Sequence, residues 1–269
     1  MVLNLEQYLE RNVFYNMTVP SLIFMCFAGF IAAFVDSIAG GGGLISVPAY
    51  MLIGLPPTMV NGTNKFSATS ASFTSSIKFI QNKKADFKIL KFALPLTVIG
   101  AMTGAGTALS IPESFLKTII SIMIVFIGIY TYFSKKLGVE ENFTGYTTKN
   151  IVFTCILALF IGFYDGFFGP GTGTFLIFGL IAIYGFDFTK ASGNARIMNF
   201  TSNIVALIVY AINGKIIYAY GIPVAIFSII GAKFGTQFAL KNGAKFIKPI
   251  FIIISLLTAS KMIIEMLLK

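Results

Sequence analysis

The sequence contains no histidine and only two cysteines, and charged residues make up 11% of its 269 positions. Without histidine the chain lacks the commonest proton shuttle and metal ligand, so any proton-handling group is an acid, a lysine or a tyrosine. Cys26 and Cys155 both lie inside apolar runs, which argues against a disulfide framework or a metal cluster and for small packing residues. No cofactor and no metal are therefore expected. Walker A and GxSxG patterns are missing as well. The first twenty residues carry two acids, one base and no basic n-region ahead of a cleavage motif. No removable signal peptide is expected, and residues 1–16 read as an amphipathic N-terminal segment. The net charge of +10 is spread singly or in small groups between apolar runs, without the continuous basic stripe that nucleic acid needs. Orientation in a membrane accounts for it better.

Hydrophobic residues make up 56% of the chain, far above a soluble domain. Several runs approach the roughly 20 residues that cross a bilayer core as a helix. The short alternating segments of an outer-membrane barrel are missing. The expected class is all-α, a multi-pass protein of the inner or plasma membrane.

An internal repeat is legible. A shift of 131 residues lays Gly54 on Gly185, Thr58 on Thr189, Gly62 on Gly193, Lys65 on Arg196 and Asn82 on Asn213, and overlays "IGAMTGAGTAL" on "IGAKFGTQFAL". Upstream of the glycine-rich loops the shift becomes 129 and lays Cys26 on Cys155 and Asp36 on Asp165. The halves are 17–134 and 150–269, joined by a polar linker at 135–149. Five apolar or semi-apolar segments are expected in each, at 17–38, 44–55, 58–81, 89–110 and 115–134, then at 150–168, 174–185, 190–212, 222–240 and 246–268. The second of each five is only about 18 Å long as a helix, too short to cross unaided. If all ten segments nevertheless cross, Lys83, Lys84, Lys88 and Lys91 share one side with Lys135, Lys136, Lys149, Lys190, Arg196, Lys241, Lys245 and Lys248. If the short ones turn back, the split becomes nearly even. Charge bias thus favours ten crossings with both termini outside, and five being odd, the halves form an inverted repeat.

Asp36 and Asp165 are the acids attached to the apolar runs, at equivalent places. An ionised carboxylate there costs about 2.5–3.5 kcal/mol on insertion scales. Each either caps the next helix through the N–H groups of the loop, or serves as a coupling site for a proton or sodium ion. Both are followed by helix breakers, "AGGGGL" and "FGPGTGTF", which can turn several N–H groups toward an anion at a helix N-terminus. Irregular backbone in lipid survives only in protein or beside a watery cavity. Gly100 to Gly104 and Gly231 to Gly235 fit close helix packing instead.

The third segments are rich in hydrogen-bonding groups. Arg196, Asn199 and Asn203 share one helix face, as do Lys65, Ala68 and Ser72. Two cations backed by neutral donors form an anion cage, unless Lys65 and Arg196 snorkel outward as interfacial anchors.

This pattern of acid, glycine loop and short apolar stretch, then "PPTMVNGTNKFSATSAS" and "FTKASGNARIMNFTSN", resembles the TauE/SafE sulfite exporter family, also called toluene sulfonate uptake permeases. The resemblance runs from about Ala28 to the last segment. It implies a membrane carrier for sulfite, sulfonates or other organic anions. By position it points to Gly40, Gly41, Gly42, Gly43, Asn61, Asn64 and Lys65 in the first copy. In the second it points to Gly169, Gly171, Gly173, Asn194 and Arg196, with Thr172 and Asn199 beside them. The second copy departs, with "GPGTGT" for four glycines and "SGNAR" for "NGTNK", so the half-sites need not be equivalent. The expectation is a secondary transporter of a small anion, with Asp36 and Asp165 coupling or structural. The alternatives are a passive anion channel and an intramembrane aspartyl enzyme. For the latter, Tyr164–Asp165 resembles half of an intramembrane protease signature, but its partner motif GxGD is missing.

Overall fold

The computed structural model describes residues 18–112, 114–116, 118 and 142–242. The expected N-terminal segment, most of the segment at 115–134, most of the linker and the segment at 246–268 lie outside these. The described residues form eight helices, with further helical residues at 114–116 and 118, and no strand. In chain order they are α1 (Val19–Ala39), α2 (Gly43–Leu52), α3 (Pro57–Gln81), α4 (Phe87–Ser110), α5 (Thr148–Phe167), α6 (Thr172–Tyr184), α7 (Phe188–Ile212) and α8 (Tyr218–Asn242).

Local chemistry starts and stops them. Thr18 and Ser21 form a reciprocal capping box at α1, with proline in the first turn, and Gly40 ends the helix in the left-handed region at φ 89°. The carboxylates of Asp86 and Asp187 accept N–H groups from the first turns of α4 and α7, and Thr147 does the same for α5. Helix α5 thus begins at Thr148, inside the expected linker. Helices α1, α4, α5, α7 and α8 are long and apolar enough to cross a membrane. Their outward residues are large and apolar, such as Val19, Phe27, Phe160 and Ile226. Helices α2 and α6, with 10 and 13 residues, are short as expected. Helix α3 equals α7 in length but is too polar to qualify as a span by composition. Many of its hydroxyls bond back to carbonyls four residues earlier, as Thr69 does to Lys65 and Ser72 to Ala68. Ser75 instead meets Ser37 of α1 at 2.7 Å and Thr236 of α8 at 3.0 Å.

The two most extensive helix contacts join α4 to α5 and α8 to α1. Both are glycine seams. A Cβ on Gly100 or Gly104 would stand 2.2 or 2.0 Å from the carbonyls of Leu159 or Phe163, and one on Gly231 or Gly235 would stand 2.2 or 2.3 Å from those of Phe30 or Phe34. Backbones approach this closely only where the side chain is a hydrogen. At the centre α3 packs on α7, flanked by α8 on α3 and α4 on α7. Exchanging α1–α4 for α5–α8 maps the α4–α5 contact onto α8–α1 and the α8–α3 contact onto α4–α7, and leaves α3–α7 in place.

Candidate functional site

Both glycine loops fold back beside the helix they leave. A Cβ on Gly42 would stand 2.6 Å from Asp36 Cβ and from the carbonyl oxygen of Ala32. The loops also touch each other. A Cβ on Gly40 would meet the Gly173 carbonyl carbon and the Thr174 nitrogen at 2.3 Å, and Thr174 Oγ1 donates to the Ala39 carbonyl at 2.9 Å. Glycine is required at this junction by close approach as well as by φ.

A polar cleft opens beside the junction, with about 500 Å³ of empty space counted to its open mouth. Its walls include Asp36, Gly40, Gly42 and Gly43 of the first half, and Asp165, Gly169, Thr172 and Gly173 of the second. Helices α3 and α7 add Asn64, Lys65, Asn199 and Asn203.

The four charges pair across the halves. Lys65 of α3 lies 2.9 Å from Asp165 of α5, and Arg196 of α7 lies 2.6 Å from Asp36 of α1. Neither cation snorkels: relative exposure is 2% for Lys65 and 0% for Arg196. Asp165 also accepts from Thr172 Oγ1 at 2.9 Å and from Ser202 Oγ, while Lys65 donates to Asn203 Oδ1 at 2.9 Å. Asp36 accepts the Gly42 N–H at 3.1 Å on its other oxygen, so it both holds its loop and pairs with a cation. Arg196 is less satisfied. It stands directly behind the Gly173 wall, where Nη2 would lie 3.3 Å from a Cβ on that glycine, and its Nε and Nη2 are buried without a protein partner. Arg196 does not itself line the cleft, and its two idle nitrogens have the spacing to donate to two oxygens of one group.

Four other expected residues do not line the cleft. Asn61 donates to the Phe167 carbonyl at 3.2 Å and to Tyr210 Oη at 3.4 Å. Asn194 accepts the Asp86 N–H at 2.8 Å and donates to the Lys190 carbonyl at 2.9 Å. Its repeat counterpart Thr63 accepts the Ile217 N–H at 3.0 Å, so this pair braces each half against the other. Gly41 and Gly171 serve their turns, their carbonyls accepting from Leu44 and Phe175. Ser46, Ser67 and Ser228 line the cleft without having been expected there. Ser67 carried only the general hydroxyl signal of the third segment, and Ser46 of α2 and Ser228 of α8 carried none.

Two carboxylates that share a proton, as in an aspartyl enzyme, have to face one another. Here each faces a cation of the opposite half.

The Sulfite exporter TauE/SafE family model matches residues 25–262. A "Probable membrane transporter protein" of Haemophilus influenzae is 35% identical over 250 residues, covering 93% of this chain and 97% of the relative. "Probable membrane transporter protein YfcA" of Escherichia coli (strain K12) is 34% identical over 250 residues, covering 93% and 92%. "Sulfite exporter TauE/SafE family protein 3" of Arabidopsis thaliana is 30% identical over 90 residues, covering 33% of this chain and 19% of its own. No solved structure matches the chain.

Proposed function

The chain belongs to the Sulfite exporter TauE/SafE family, and on that premise we propose that it is a secondary transporter of a small sulfur-containing oxyanion or organosulfonate, with sulfite as the default. It is a multi-pass membrane protein of a transporter family. The substrate binds in the cleft beside the glycine junction, on the free Nε and Nη2 edge of Arg196, with Lys65, Asn64 and Asn199 on the surrounding walls. The observation that carries this reading is that unpartnered edge of a fully buried guanidinium. A buried cation with idle donors favours whatever anion can reach it.

Alternating access follows from how the halves are built. The helix contacts exchange under a swap of halves, which supports an inverted repeat with the cleft near its axis. The glycine loops and short helices α2 and α6 act as broken-helix pairs, and one half rocks against the other around the ion pairs. Both lips of the cleft come from loops that meet at Gly40 and Gly173, so a shift between halves changes the opening directly and uncovers the guanidinium behind it.

In proteoliposomes loaded with labelled sulfite or a sulfonate, Arg196→Gln removes charge-assisted contacts and lowers flux about 10- to 100-fold. Unchanged flux in a correctly inserted variant removes Arg196 from the site. Saturable counterflow by the wild type separates a carrier from a channel.

A further inference from the structure

The cleft and the wall behind it carry two cations and two carboxylates, so the formal charge balances. A monoanion bound as proposed above leaves one negative charge uncompensated in a space of low dielectric, which is strongly disfavoured. A positive charge has to enter with it. Among the ionised groups lining the cleft, only Asp36 and Asp165 can take up a proton while Lys65 stays charged.

The two acids differ in how far each is committed. Asp165 accepts from three side chains, Lys65, Thr172 and Ser202, and its side chain is 2% exposed. Asp36 accepts from one side chain and one backbone amide, and its side chain is 21% exposed. A proton reaches Asp36 more readily and displaces fewer hydrogen bonds there. The consequence at Arg196 is specific. Nη1 points at Asp36 Oδ2, while Nε and Nη2 are idle. Protonation of Oδ2 cancels that attraction and frees Nη1 to join the other two nitrogens on the anion.

Resting on the transport reading, we infer that Asp36 takes up the proton that accompanies the anion and thereby releases Arg196 to it, while the Lys65–Asp165 pair stays ionised. The charged groups facing Asp36 are Arg196 from α7 and, across the cleft, Lys65 from α3 and Asp165 from α5. Helices α2 and α6 bring no charged side chain, and their titratable side chains, Tyr50 and Tyr184, are buried in apolar core clusters and do not line the cleft. Helix α8 faces the cleft with Ser228, its Lys233 is exposed, and its Tyr220 meets α1 at Ser21. No bond between heavy atoms changes. One proton adds to Oδ2 on binding and leaves with the substrate, so proton and anion raise each other's affinity by the same factor.

Methanesulfonate, a strong-acid anion that keeps one charge throughout the working pH range, is the probe. In wild-type proteoliposomes an inside-alkaline gradient drives its accumulation. The rate rises up to about tenfold per unit fall in external pH where the proton is limiting. A clamped membrane potential leaves the accumulation unchanged. In Asp36→Asn the response to pH disappears, and Asp36→Glu restores it. As a check independent of flux, detergent-solubilised wild type takes up protons when methanesulfonate is added, and Asp36→Asn takes up none. A full pH response in Asp36→Asn, or accumulation driven by sodium in place of protons, overturns the inference. Saturable counterflow that ignores pH in the wild type removes only the proton at Asp36. No counterflow of methanesulfonate or sulfite at all removes the transport reading and this inference with it.

Discussion

The two ion pairs of the cleft occupy equivalent places in the repeat, yet one is saturated and the other is not. Asp165 and Lys65 have four hydrogen-bond contacts between and around them, to each other, Thr172, Ser202 and Asn203. Asp36 and Arg196 have each other and one backbone N–H. The sequence difference behind this is small. At the 131-residue shift Ser202 faces Ala71 and Asn203 faces Ser72, and at the 129-residue shift Thr172 faces Gly43. Ser72 cannot substitute for Asn203, because its hydroxyl bonds to the carbonyl of Ala68 in its own helix. Buried polar networks that are complete rigidify a structure, whereas incomplete ones keep unused capacity. One pair is thus held on every side, and the other keeps donors that nothing in the protein uses.

The comparison breaks most visibly at the saturated pair. Asparagine at 165 has to turn its amide N–H₂ toward one of three donors and leaves Lys65 buried without a counter-charge. Removing one partner of a buried pair costs about 3–5 kcal/mol. Asp165→Asn should therefore show a large fall in melting temperature in detergent, and Asp36→Asn a smaller one. At 36 the amide oxygen can stay on Arg196 while the nitrogen gives up one backbone contact, the Gly42 N–H, at a side chain that is 21% exposed. Equal losses would mean that the two pairs are not differently committed.

A second comparison tests where the halves are alike. A Cβ on Gly62 would stand 1.9 Å from the Lys215 carbonyl oxygen, and one on Gly193 would stand 2.2 Å from that of Lys84. Both obstacles are backbone in the opposite half, unable to swing aside. Gly62→Ala and Gly193→Ala should each cost about 1–3 kcal/mol, as overpacking does, and by similar amounts in thermal unfolding. Tolerance at one site alone would break the equivalence of these contacts.

The register that matches Gly62 with Gly193 is legible in the sequence, and so are all eight described helices, since long apolar runs and glycine loops are local signals. The boundaries that differ have a long-range cause. Helix α4 starts at Phe87, ahead of the expected 89, and α8 at Tyr218, ahead of 222. The Asp86 and Ile217 N–H groups just before them are held by Asn194 and Thr63 of the opposite half. The same bond explains why Asn194, expected at the substrate, is turned away from the cleft. The buried charges are legible as a set, because an acid or cation in an apolar run demands a partner. Which acid takes which cation is not, since sequence order suggests pairing within a half and the contacts cross between halves. Ser228 enters the cleft only through the packing of α8 on α1 and α3.

The smallest expected effect is the sharpest test of what separates the pairs. Ala71 and Asp36 both line the cleft, and Ala71 stands where the second half has Ser202, which donates to Asp165. Ala71→Ser supplies the missing hydroxyl without altering charge. A net hydrogen bond contributes about 0.5–1.5 kcal/mol, so the variant should melt slightly higher than wild type. The same hydroxyl gives Asp36 a further contact that release of Arg196 has to break, so the pH response of methanesulfonate uptake should weaken. A gain in stability with an unmoved pH response would show that the hydroxyl braces the cleft without touching the coupling. No change in either would place the origin of the asymmetry at Thr172 and Gly43, leaving the glycine loop as the element that distinguishes the two halves.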